Sequence, residues 1–109
     1  MIITTDFVIP GKRVARLIGL AKGNTVRASH IGRDLTAAFK NITGGEIREY
    51  TKLMAESREQ AIDRMTDEAK RLGGNAVVGM RFTTSFISAG AAELLSFGTA
   101  VVVVDDEAS

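Results

Sequence analysis

The chain has no cysteine and no tryptophan, and only one histidine, one tyrosine and one proline in 109 residues. Without cysteine, disulfides, iron–sulfur clusters, thiolate zinc sites and cysteine nucleophiles are excluded. The absence is compatible with a reducing compartment. Aromatic residues make up 6% of the chain. So few aromatics argue against a base-stacking platform for nucleic acid. Neither a phosphate-loop pattern (GxxxxGK[ST]) nor a dinucleotide pattern (GxGxxG) occurs. Ser57, Ser85, Ser88 and Ser96 lack the histidine and acid neighbours of an activated nucleophile. The apolar run at residues 100–104 is far too short to span a bilayer. The start, MIITTDFVIPG, lacks the basic opening and long apolar run of a signal peptide. The expectation is a soluble cytoplasmic protein that binds neither nucleic acid nor membrane.

What is present is the composition of a globular domain: 45% hydrophobic, 25% charged, net charge +1. The length predicts one domain, residues 1–109, with a modest core. The charge is uneven along the chain. Residues 1–40 hold seven basic residues (Lys12, Arg13, Arg16, Lys22, Arg27, Arg33, Lys40) and two acidic ones, whereas the remainder holds seven basic and eleven acidic. Either the N-terminal part binds an anion, or it packs beside an acidic helix of the same subunit or a neighbour; the second reading is favoured, because charge pattern alone is a weak guide.

The most informative stretch is AKRLGGNAVVG, residues 69–79, where a charged helix meets a double glycine and a strand with an apolar interior follows. Residues 2–4 predict a short edge strand, residues 7–9 a further extended piece, and Pro10-Gly11 a turn. Residues 12–21 predict a strand, with Gly23-Asn24 as a turn or bulge and residues 25–28 extended beyond it. Ser29 is placed as the N-cap of a helix reaching about residue 42, with Ile31, Leu35, Ala38, Phe39 and Ile42 at spacings of three and four. Gly44-Gly45 ends it. A second helix is predicted from about residue 46 to residue 72, with Gly73 as its C-cap glycine. Its apolar stripe holds Ile47, Tyr50, Met54, Ala61, Ile62, Met65, Ala69 and Leu72. Residues 75–87 and 93–104 predict two strands joined as an antiparallel hairpin, before an acidic tail. The fold class expected is α+β: a small antiparallel sheet of three to four strands backed by two helices.

The last strand carries apolar residues on both faces. Leu94, Ala100, Val102 and Val104 fall on one, and Leu95, Phe97, Val101 and Val103 on the other. Two helices cover one face of a small sheet, and nothing else in the sequence is assigned to the second. An uncovered apolar face of that size marks a protein interface, so a homo-oligomer is expected.

The order and spacing of Gly32-Arg33-Asp34, Ile42-Thr43-Gly44-Gly45, Ser57-Arg58-Glu59-Gln60-Ala61, Leu72-Gly73-Gly74-Asn75-Ala76-Val77-Val78-Gly79 and Phe97-Gly98-Thr99-Ala100-Val101 resemble the YbjQ-like family, over residues 4–103. That family is described as a domain of unknown function, or as a heavy-metal-binding domain. The resemblance implies a dodecin-like subunit that assembles into a ring-shaped homo-oligomer, a pentamer. It carries no established activity to this chain.

The candidate site residues are few. A soft metal needs thiolates or several imidazoles. His30 is the one imidazole, and only a symmetric ring brings several copies together; a lone histidine is more often a helix-start or surface residue. Asp105-Asp106-Glu107 reads as a solvated tail before it reads as a hard-cation site. Arg58 falls on the apolar stripe of the second helix, where a buried guanidinium needs a partner; Asp34 is one candidate, and an anion-binding interface pocket is the functional alternative. Arg33, with Lys22, Arg27 and His30, forms the best candidate loop for a small anionic ligand, with Asp34 beside it at a helix start where the dipole favours it. Thr43-Gly44-Gly45-Glu46 reads as an inter-helix turn. Three functions stay open: a non-catalytic homo-oligomeric module binding a small ligand or protein, a metal-binding protein, and an enzyme whose active site is assembled at subunit interfaces. The first is favoured. No resident cofactor follows from the sequence.

Overall fold

The computed structural model describes residues 1–27, 44–88 and 91–107. Four strands, β1 (Ile2–Ile3), β2 (Lys12–Arg27), β3 (Ala76–Ser88) and β4 (Ala91–Asp105), form one sheet in the order β1-β3-β4-β2. One helix among the described residues, α1 (Gly44–Arg71), packs on it. The sheet is mixed rather than antiparallel. β4 pairs antiparallel with both neighbours, but β1 runs parallel to β3, with Ile2 opposite Ala76 and Ile3 opposite Val77. Two residues are too few to carry an alternation, so the sense of β1 is set by the backbone beside β3 instead. The first helix expected from the sequence, residues 29–42, lies outside the described residues. Gly44 and Gly45 open α1 rather than forming a turn before it.

α1 docks on β2 and β4 through a line of small and flexible side chains. Ser57, Ala61, Met65 and Ala69 are fully buried, at steps of four. Four residues turn a helix by about 400°, so this buried line drifts round the helix by about 40° per step. Arg58 sits on the stripe by sequence phase but off this drifting line, and it is exposed. The expected burial of its guanidinium is therefore corrected: no desolvation cost arises there. Met65 anchors the main cluster with Ala21, Ala69, Val77, Met80 and Ala100, against which Ile3, Ile18 and Ile62 pack.

The helix approaches the sheet closely because Gly23 lies beneath it. A Cβ at Gly23 would stand 2.2 Å from the Met65 amide nitrogen and 2.4 Å from the Ala61 carbonyl oxygen. Gly23 thus permits contact and does not turn the chain; β2 runs through it unbroken. Two register shifts, between Val14 and Arg16 and between Leu17 and Gly19, do interrupt β2. The second, with Gly19 at φ 136°, lets both Ile18 and Ala21 reach the core although they are three apart.

The C-terminus of α1 follows the sequence. Gly73 adopts φ 97°, its amide donates to the Lys70 carbonyl at 3.0 Å, and the Gly74 amide donates to the Ala69 carbonyl at 2.9 Å. This pair of bonds is the Schellman arrangement, which favours glycine at the left-handed position. Asn75 then locks the chain beside β4. Its Nδ2 donates to the Val103 carbonyl at 2.9 Å, and its Oδ1 accepts from the Val103 amide at 2.8 Å.

Candidate functional site

Among the described residues, the face of the sheet away from α1 carries exposed aliphatic side chains. The N-terminal segment covers one end of it. Thr4 continues the β1 pairing through bonds with Val77 and Met80, and the Gly79 amide donates to the Asp6 carbonyl at 2.9 Å. Pro10 and Gly11 then reverse the chain in a turn closed by the Lys12 amide on the Ile9 carbonyl. Gly11 has φ 78°, as the third position of a type II turn requires. Ile9 packs on Ala76, Val78, Val101 and Val103, forming a second small cluster on this face.

Phe7 lies against Gly79, where a Cβ would stand 2.3 Å from the ring. The Arg81 guanidinium sits 5.7 Å from the ring centroid and donates to the Thr5 carbonyl at 2.9 Å. Beneath Phe7 and Val8 opens a cavity of about 170 Å³ floored by Val14, Val78 and Val103 and edged by Lys12 and Arg13. Lys12 forms an ion pair with Asp105 across β2 and β4. That hydrogen bond and the lysine's charge hold the Asp105 carboxyl below its ordinary value of 3.8. Because the carboxyl titrates lower in the folded chain, the pair's contribution holds at neutral pH and is lost as pH falls through that lowered value. The pair is solvent-exposed, so its effect on stability is small. We predict that Lys12→Gln returns the Asp105 midpoint toward 3.8 in an NMR pH titration; an unchanged midpoint would show that the lysine does not set it.

Among the described residues, nothing covers the rest of this face. Leu17 is 70% exposed and Leu20 60%, with Val14 and Val26 half exposed along the same strand. They face away from α1, because the intervening Ala21, Gly23 and Thr25 point into the helix contact; the Thr25 hydroxyl donates to the Ser57 carbonyl at 3.3 Å. The two register shifts in β2, at Val14/Arg16 and Leu17/Gly19, bring Val14, Leu17 and Leu20 to one face against simple alternation and set a row of aliphatic side chains in water. At the far end, Phe86 is 81% exposed and Phe82 40%.

Of the residues singled out from the sequence, His30, Arg33 and Asp34 lie outside the described residues, and Arg58 stands exposed on α1. Ser57 is buried, and its hydroxyl donates back to the Leu53 carbonyl at 2.9 Å, a structural role. The sequence reading missed the N-terminal arm as a cover for the sheet. Its signal was the pair of left-handed glycines, Gly11 at the turn and Gly79 under Phe7, visible only once the two segments are side by side.

The YbjQ family model, whose description reads "Putative heavy-metal-binding", matches residues 1–104. The chain belongs to this family. A "UPF0145 protein" of Archaeoglobus fulgidus is 55% identical over 101 residues, covering 93% of this chain and 94% of that protein. A "UPF0145 protein" of Vibrio parahaemolyticus is 53% identical over 105 residues, covering 96% of this chain and all of that one. Among solved structures, a protein of unknown function of the DUF74 family from Pediococcus pentosaceus superposes with a TM-score of 0.64 over 95% of this chain and 98% of that chain. At 14% identity that likeness concerns the fold alone.

The donor set does not fit the family's description. Among the described residues no group of three or more His, Cys, Asp or Glu side chains is placed to hold a metal ion. The whole sequence offers no cysteine and one histidine, whereas soft metals select thiolate and imidazole. Among the described residues no helix is long and apolar enough to cross a membrane.

Proposed function

We propose that this chain is one subunit of a cytoplasmic homo-oligomeric ring, a pentamer, that serves as a binding module without a catalytic centre of its own. The observation that carries this reading is the apolar row on β2, with Leu17 and Leu20 in solvent. Large contiguous apolar surface on a small chain marks an interface. The shape supports it. The radius of gyration is 17.7 Å, against about 13 Å for a compact domain of this length, so the chain is elongated rather than compact. The partner is another copy of the chain. The ring's ligand is a small anion, taken by the basic residues Arg33 and Arg58 with His30 and Asp34 at subunit borders; nucleic acid and membranes are not its targets.

A second reading, metal binding, is favoured by the family description alone. In a ring it would require the single His30 of several subunits to converge. Native mass spectrometry of untagged protein purified without chelator, with elemental content read on the same sample, separates the two. The module reading predicts a whole-number multiple of the 11.6 kDa subunit without stoichiometric metal. A metal in fixed ratio to the ring would favour the second reading, and a monomer would contradict both.

A further inference from the structure

We infer that the cavity between the N-terminal arm and the sheet is a binding site for a small monocarboxylate with a compact apolar body, of about the size of benzoate. The site stands on residues of one subunit, apart from His30, Arg33, Asp34 and Arg58. It goes beyond the reading above and does not depend on the ring.

The walls are fixed before any ligand arrives. Backbone bonds tie the arm down at both ends. The Thr4 amide donates to the Val77 carbonyl and the Met80 amide to the Thr4 carbonyl, each at 3.0 Å; past the turn, the Asp106 amide donates to the Gly11 carbonyl at 2.9 Å. Between these ends Phe7 rests on Gly79, which has φ 62° and no Cβ to push the ring away. Arg81 holds the arm from the side, with its guanidinium against the Phe7 ring and on the Thr5 carbonyl. The ring is therefore kept at the wall of the cavity and does not fill it. A ligand entering a site already built does not bear the cost of ordering it.

The volume and the lining select the ligand. An apolar cavity of about 150 Å³ takes up benzene, so about 170 Å³ holds one six-membered ring or a branched chain of similar bulk. Val14, Val78 and Val103 form the floor, and Phe7, Val8 and Ile9 the arm side. The charged residues of the lining are Lys12 and Arg13, and among the described residues no acidic side chain joins them. Lys12 donates one hydrogen bond to Asp105, which stands outside the lining. An ammonium has three donors, so two remain for a carboxylate at the mouth. Asp105 offsets the charge of Lys12, and Arg13 restores a positive excess at the rim. A body that is apolar with one negative end satisfies both parts of the site. A cation meets like charge there, and a wholly apolar molecule leaves the ammonium donors unused.

Sodium benzoate is the probe, titrated into the chain labelled at its valine methyls and followed by NMR. Val14, Val78 and Val103 are expected to shift saturably, while Val26, near the other end of β2, stays still. Val14→Phe fills the cavity from a half-exposed position and is expected to abolish the shifts of Val78 and Val103, with an unchanged far-UV circular dichroism spectrum showing that it is folded. Lys12→Gln is expected to weaken benzoate binding by about tenfold, the loss of one charge-assisted hydrogen bond. Benzylamine, the same ring with a positive end, is expected to leave the three valines unmoved. No saturable shift at these valines in the wild-type chain, or an affinity untouched by both variants, would overturn the site. Benzylamine binding as tightly as benzoate would overturn the class of ligand.

Discussion

We predict that Gly23→Val costs the chain more than about 3 kcal/mol, the upper end of ordinary overpacking penalties. No side-chain rearrangement can make room. The atoms that a Cβ would strike belong to the α1 backbone at Ala61, Arg64 and Met65, so the whole helix must lift from the sheet. Lifting it exposes Met65, Ala69 and Ala21 together, because they share one cluster. A total stability of about 5–15 kcal/mol is usual for a domain, so the variant is expected to lose a large share of its resistance to urea, read by circular dichroism. Gly23→Ala meets the same backbone atoms with its single carbon and should show much of the effect. A valine variant with the wild-type urea midpoint would mean that the helix does not rest on β2 as described.

The second large effect is expected at Met65. Its side chain is fully buried and lies at the centre of the helix–sheet contact. Met65→Ala is predicted to destabilise by about 2–5 kcal/mol, from lost burial and from the cavity left behind. The Ser96 hydroxyl, buried beside the sulfur, loses its partner in the same step. Met65→Leu keeps the volume and is expected to cost less than about 1.5 kcal/mol. Equal losses in the two variants would show that the sulfur contact, not the packing, dominates.

Much of this architecture is legible in the amino-acid sequence where the cause is local. The end of α1 follows from Gly73 because a left-handed position after a helix is a single-residue requirement. β3 and β4 follow from alternation and from the break between them. Gly23 misleads because its reason is not local: a glycine reads as punctuation, whereas here it is the thin spot under a helix about forty residues later in the chain. The bulges in β2 mislead in the same way, bringing Ile18 and Ala21 to one side against simple alternation. A fixed helical phase puts Arg58 on the apolar stripe, while the buried line drifts in steps of four from Ser57 to Ala69. The parallel sense of β1 has no signal in two residues. For the site, the two-faced pattern of β4 did point to a sheet with an uncovered side. It did not show that residues 7–9 cover one end, nor that the stretch uncovered among the described residues centres on β2. His30, Arg33 and Asp34 lie outside the described residues, so the anion site stays a proposal drawn from the sequence.

The central claim is that the chain leaves an apolar surface for its own copies. Sedimentation equilibrium of the untagged wild-type protein across a dilution series tests it most directly. The account predicts one species at a fixed multiple of 11.6 kDa, held down to low concentration. A single species at the subunit mass throughout would contradict it, since no second copy would then meet Leu17 and Leu20.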